Sequence, residues 1–299
     1  LHRVDRRQRQ MCIRDSNYTA TNIVILKGLE AVRKRPAMYI GSTDEVGLHH
    51  LVWEIVDNAI DECLAGFANH IIIEILNNRE TIRVSDNGRG IPTDIHPTEN
   101  KSALELAATV LHAGGKFDKN TYKVSSGLHG VGLSVVNALS ENCSITVKRN
   151  GKIYMQSYRK GIPINNVSII GETTETGTTV EFTPDKTIFS STQFVYKTIY
   201  NRIRQNAYLN AGVKFTLIDW TKGKNEYNFY FQEGLKSYIK YLNNSRQLLQ
   251  KNIFYIHKNL DNVEIEIAIQ YINSLQTEEY SFANNILCLL YTSPSPRDS

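Results

Sequence analysis

The chain has 299 residues, 41% of them apolar, enough to bury one large core or two ordinary ones. No apolar run approaches the roughly 20 residues a membrane helix needs, and Cys12, Cys63, Cys143 and Cys288 lack CxxC spacing, which argues against a disulfide framework and a structural zinc site. The formal charge is +4, but five Arg against two Asp in residues 1–16 supply +3 of it, leaving +1 for the rest, so charge alone does not indicate a nucleic-acid-binding protein.

The ends, "LHRVDRRQRQMCIRDS" and "CLLYTSPSPRDS", show no helical or strand period and share a final RDS. Residues 1–16 and 288–299 are therefore expected to be non-native tails, with real disordered tails as the alternative. No stretch resembles a signal peptide, which makes the cytoplasm the expected location. In "ATNIVILKGLEAVRKRPAMYIG", Pro36 and Gly41 are expected to close a first helix. "HHLVWEIVDNAIDECLAGF" (49–67) reads as an amphipathic helix with Leu51, Val52, Ile55, Val56, Ala59, Ile60, Cys63, Leu64 and Phe67 along a core stripe. "HIIIEILNNRETIRVSDNGRGIP" predicts a hairpin whose second strand runs into Asp86. "ENKSALELAATVLHAGG" predicts a helix stopped by Gly114 and Gly115, and a helix restarts at "LSVVNALS" after a long polar loop. Strands dominate from Cys143 to about Tyr230, with a hairpin around Asn150 and Gly151, the strand "GTTVEFTPD" and the helix "FVYKTIYNRIRQNAYLNAG" between them. After "NFYFQEGLKSYIKYLNN" a second unit starts, containing the strand "NVEIEIAIQYI". These signals divide the chain into 17–232 and 233–287.

Opposite its apolar stripe the helix at 49–67 carries Glu54, Asp57, Asn58, Asp61 and Glu62 with no Lys or Arg. Like charges at i, i+4 are unfavourable on a helix, so a cation is expected to answer them. An oxygen ligand from Asn58, with triphosphate oxygens, suits magnesium. Glu54, one turn earlier, is placed to deprotonate a water attacking the γ-phosphate. A merely solvated acidic face is the alternative. "GLHGVG" (127–132) places three glycines before a helix, a phosphate-binding arrangement, although its spacing is neither a Walker A loop nor GxGxxG and such helix entries are often only structural. In "DNGRGIP" (86–92), Asp86 leaves a strand to accept a hydrogen bond from a donor such as an exocyclic amine, with Ile91 and Pro92 walling the ring, or it is simply a turn former. Lys116 in "AGGKF" is a phosphate clamp or a surface lysine.

The order "EIVDNAIDE", "DNGRGIP", "AGGKF", "GLHGVG" and "TGT" (176–178) resembles the GHKL ATPases, and within them the ATPase subunits of type II topoisomerases, of which the wording separates two kinds poorly. The resemblance implies a Bergerat-type two-layer α/β sandwich with a mixed sheet, followed by the truncated start of a ribosomal S5 domain 2-like transducer domain. It implies ATP and Mg²⁺ as cofactors, Glu54 as general base, Asn58 as metal ligand, Asp86 as adenine reader and Thr178 as its water-linked helper. Lys116, Leu128, His129, Gly130, Val131 and Gly132 would hold phosphates, and Tyr122 and Lys123 would lie in a lid. Arg89, Gly90, Ile91, Pro92 and Arg149 would border the adenine side, which in this family also accepts aminocoumarins, and Asp61 joins the nucleotide-binding set. Tyr18 would reach into a second copy's site, making nucleotide drive dimer closure, with a companion A subunit and DNA as partners of the whole enzyme and no membrane. Ala37 stands where the family often has Gly. The transducer Gln and Lys that touch the γ-phosphate, and the DNA-cleaving metal domain, lie beyond the match, so supercoiling of DNA is expected of the parent rather than of this chain. A nucleotide-binding, dimerising module without turnover is the alternative from another class. A sensor kinase of the same superfamily is disfavoured by Glu54 beside the Asn.

Overall fold

The structure, a computed structural model, describes residues 28–113, 130–260 and 263–288. Nine strands form one mixed sheet: β1 (His70–Ile75), β2 (Ile82–Asp86), β3 (Ser140–Arg149), β4 (Lys152–Arg159), β5 (Ile162–Pro163), β6 (Ser168–Glu172), β7 (Gly177–Pro184), β8 (Lys214–Asp219) and β9 (Asn225–Phe229). Their spatial order is β5-β4-β3-β7-β2-β1-β8-β9, with β6 also on β4. All pairs are antiparallel except β1 with β8.

Alternation decides which side of the sheet is covered. Ile73 faces Val84 across β1 and β2, Val84 faces Val180 on β7, and Val180 faces Ile145 on β3. All four are buried, so a single row of β-branched side chains crosses four strands on one face. The next row, on the other face, is polar. There Arg83 bonds Glu74 at 3.2 Å and Glu181 at 2.7 Å, and the Trp220 indole donates to Glu74 at 3.0 Å. One covered face and one polar face make the expected two-layer sandwich.

The covering layer is built around α3 (Glu45–Leu64), with α1 (Leu29–Lys34), α2 (Ala37–Ile40), α4 (Ala103–Thr109), α5 (Gly132–Ala138) and α6 (Tyr196–Leu209). α3 starts four residues before the expected His49, because the Asp44 carboxylate caps it by accepting from the Val46 and Gly47 N–H groups. Its stripe is buried from Leu48 to Ile60, but Leu64 and Phe67 are exposed; the helix has ended at Leu64 and the chain turns outward. Asp61, expected on the acidic face, is fully buried. The first helix also differs from expectation. Arg35 leaves helical geometry and Pro36 opens a separate short helix, α2, since its fixed φ suits a helix start. α4 stops at Thr109, short of Gly114, where the Thr109 hydroxyl bonds back to the Glu105 carbonyl at 2.6 Å and Val110 is extended; two β-branched residues favour that exit.

One partly buried ion pair ties the layer together. Arg33 on α1 donates to the Ala138 carbonyl at the end of α5 (2.7 Å) and to Asp185, just past β7 (2.6 Å). Beyond the sheet, α7 (Leu235–Leu242) packs on α6 and on β11 (Val263–Ile269), the strand expected at "NVEIEIAIQYI". β11 forms a hairpin with β10 (Phe254–Leu260), and β12 (Ser281–Ala283) pairs with β13 (Ile286–Cys288). Among the described residues no helix is long and apolar enough to cross a membrane.

Candidate functional site

Asp86 is the last residue of β2 and pairs in register with Ile71, so its side chain lies on the covered face among apolar neighbours. The carboxylate accepts from the Gly88 N–H at 2.8 Å and the Thr178 N–H at 3.3 Å. Burial pushes its pKa up to about 6 against the pull of those two donors, and the nearby Glu62 charge adds to the rise. The approach of β7 is equally tight. Gly177 has φ +144°, and a Cβ there would collide with the Asp86 carbonyl oxygen. The "DNG" and "TGT" motifs are thus two sides of one contact, with Thr178 placed beside Asp86 by the β7 register.

The turn after Asp86 is clamped from α3. Glu62 accepts from the Arg89 backbone N–H at 3.0 Å, from Arg89 Nε at 3.1 Å and from Nη2 at 2.8 Å. The Arg89 guanidinium lies 3.9 Å from the Phe67 ring centroid. Arg149, at the end of β3, donates to the Gly90 carbonyl at 2.8 Å and the Arg89 carbonyl at 3.3 Å. Arg89, Gly90, Ile91 and Arg149 therefore meet beside Asp86; Ile91 packs on the core and Pro92 is exposed. Sequence reasoning assigns Glu62 no role of its own, although its signal is present, one turn past Asn58 on the same face. Arg89 answers part of the negative charge that a metal alone is expected to offset.

Toward the other end of α3, Glu54 faces the start of α5. A Cβ on Gly132 would collide with Glu54 Oε2 and lie 3.3 Å from its Cβ, so only glycine admits the carboxylate there. Asn58 and Asp57, like Glu54, are half-buried on α3. Gly130 has φ +59° and Val131 is the residue before α5. Among the described residues no group of three His, Cys, Asp or Glu is arranged to hold a metal. The side-chain oxygen of Asn58 fits magnesium, which takes few protein ligands and completes its shell with phosphate and water. Tyr18, Lys116, Tyr122, Lys123, Leu128 and His129 lie outside the described residues.

Comparison with known proteins gives a consistent result. A family model described as histidine kinase-, DNA gyrase B-, and HSP90-like ATPase matches residues 43–188, and one described as DNA gyrase B matches 234–288. The DNA gyrase B protein of Staphylococcus epidermidis is 51% identical over 272 residues, covering 90% of this chain and 42% of that protein. That of Staphylococcus aureus is 50% identical over 273 residues with the same coverage. The chain therefore spans about two fifths of the length of these curated relatives. Among solved structures, the 43K ATPase domain of Thermus thermophilus gyrase B, in complex with an aminocoumarin, matches with a TM-score of 0.78 and 39% identity over 88% of this chain and 67% of that one.

Proposed function

Because the chain belongs to the DNA gyrase B family of ATPases, we propose that it is the part of a type II topoisomerase that binds Mg-ATP and hydrolyses it. The observation that carries this reading is the spacing of two carboxylates along α3. Glu54 lies against the start of α5, while Glu62, eight residues on and about 12 Å along the axis, holds the turn beside Asp86. An extended nucleotide spans such a distance, with adenine at Asp86 and the terminal phosphate at Glu54.

In this reading Asp86 accepts a hydrogen bond from the adenine amine, assisted by Thr178, and Ile91, Pro92 and the Arg89–Gly90 turn border the ring with Arg149 behind it. Gly130, Val131 and Gly132 offer backbone N–H groups to the phosphates, joined by Lys116, Leu128 and His129, with Tyr122 and Lys123 over them; Asp61, fully buried, supports the site from within the core rather than touching the nucleotide. Asn58 would hold Mg²⁺, which when bound offsets phosphate charge. Glu54 orients a water and takes its proton as it attacks the γ-phosphate.

Residues 17–232 are proposed as the nucleotide-binding unit and 233–287 as the start of the transducer; the two family matches, falling either side of residue 233, support that division. For the whole protein we propose ATP-driven supercoiling of DNA with gyrase A, closure of two copies through Tyr18, and a cytoplasmic location. The aminocoumarin in the Thermus thermophilus structure supports inhibitor binding, which this reading assigns to the Asp86 side. The named relatives favour gyrase B over its topoisomerase IV counterpart.

The test is Glu54→Ala. ATP binding by calorimetry is expected to persist while phosphate release falls by at least about a hundredfold, the size of a lost general base. Normal turnover in that variant would remove the base assignment. Binding without release by the unsubstituted chain would instead favour the module without turnover.

A further inference from the structure

A cleft of about 510 Å³, lined by neither Glu54 nor Asp86, opens between α3, α6 and α7, with Trp53, Tyr208, Tyr238 and Tyr241 as its walls. Its long side is α6, where one arc carries Thr198, Asn201 and Gln205 between two arginines. At about 100° per residue, Arg202 and Arg204 stand roughly 160° apart. Their guanidinium groups therefore occupy opposite rims, with the amides between them. Arg202 lies 5.9 Å from the Trp53 ring and Arg204 4.4 Å from that of Tyr241.

These two arginines differ from five of the eight other described arginines. Arg33, Arg83, Arg89, Arg159 and Arg246 each meet a carboxylate. Among the described residues Arg202 and Arg204 meet none, and no acidic residue lines the cleft. The contacts that do form are weak: Arg204 Nη2 donates to Asn201 Oδ1 at 3.3 Å, and Gln205 Nε2 to the Tyr238 hydroxyl at 3.4 Å. Arg202 Nε is buried with no acceptor, an arrangement that is unfavourable until one arrives.

We propose that this cleft docks an acidic segment of a partner polypeptide, whose Asp or Glu side chains pair with Arg202 and Arg204 while its backbone meets Asn201 and Gln205. A planar guanidinium pairs with a carboxylate through two parallel hydrogen bonds, and two such groups across one cleft select successive acidic side chains. A nucleic acid would need a longer basic track, and the chain beyond its first sixteen residues carries a net charge of only +1. The proposal is independent of nucleotide binding.

Trp53 and Trp220 are the chain's two tryptophans, so Trp220→Phe leaves one reporter in the cleft wall; calorimetry on the unsubstituted chain serves as the second measurement. An acetylated, amidated tetraglutamate peptide is expected to shift Trp53 emission saturably, more weakly as salt rises, while tetraglutamine gives no response. Arg202→Gln and Arg204→Gln are each expected to weaken the peptide by about tenfold, the size of one charged hydrogen-bonded contact. No saturable response, an equal response to tetraglutamine, or unchanged affinity in both variants would overturn the proposal. Tighter, arginine-dependent binding of oligothymidylate would also overturn it and assign the cleft to nucleic acid. If Arg202→Gln lowers the melting temperature, Arg202→Lys is read instead: intermediate affinity supports the planar pairing, and full affinity refutes it.

Discussion

Asp86 carries a tension between stability and binding. Its folded pKa, about 6, lies above the unfolded value of 3.8. A carboxyl raised in this way stabilises the fold fully below pH 3.8, and that contribution is lost as pH climbs through about 6. Asp86→Asn is therefore expected to stabilise the nucleotide-free chain at pH 8 by about 3 kcal/mol, read as a higher melting temperature, with the gap closing below about pH 4. The same substitution turns an NH₂ group toward the adenine amine, and ATP affinity is expected to drop at least about tenfold by calorimetry. For the native chain, affinity should decline as pH falls below about 6. Undiminished binding by the Asn variant would end the adenine-reader assignment. Asp86 is legible in the sequence because a strand running into Asp-Asn-Gly places a carboxylate at a strand exit. Glu62 is legible only as a member of the acidic face; its clamping role is not, because its partner Arg89 is 27 residues away and only the fold brings them together. Asp61 misleads for a related reason: a helical wheel gives direction but not what packs there, and its side chain is buried.

At the scale of elements, two glycines separate function from folding. Gly132→Ala puts a methyl group where the Glu54 carboxylate lies. The obstacle is the end of a side chain, which can swing away, so turnover is expected to fall about tenfold or more while the melting temperature barely moves. Gly177→Ala meets backbone instead, at φ +144°. It is expected to destabilise by roughly 3 kcal/mol and to split β2 from β7, read as a lower melting temperature with or without ATP. A swap of these two outcomes would reverse the roles given to the two contacts. Helix boundaries are the least legible feature. Pro36 has the local pattern of a stop yet opens α2, and α4 ends early because Thr109 and Val110 favour extended backbone; both choices depend on where the chain must go next.

Across the whole molecule, the Arg33–Asp185 pair joins the first helix to the end of the central sheet. The Asp185 side chain is 1% exposed. Burial alone would raise its pKa, but the Arg33 guanidinium and the Thr187 N–H and hydroxyl outweigh burial and hold it well below the usual carboxylate range. A depressed pKa contributes stability that is present above the unfolded value of 3.8 and is lost as pH falls below it. Lys160 Nζ, 3.4 Å from the same carboxylate, stays behind when Arg33 is removed, so Arg33→Ala is expected to destabilise by roughly 2 kcal/mol at pH 7 rather than the full cost of an unpaired buried charge, measured by denaturant titration, with the deficit shrinking toward pH 2. A deficit that stays constant with pH would show that packing, not charge, is the cause. The two-layer sheet is legible in the alternation of β1, β2 and β7. The placement of β8 is not, since its parallel pairing with β1 joins segments that share no local signal.

That parallel pairing bears on how the protein is made. Ile71 finds its neighbour in Phe215, so a ribosome must deliver almost the entire nucleotide unit before β1 is covered on its second side. Until then the nascent chain carries a hydrophobic strand with an open edge, and the interval is set by the pace of translation.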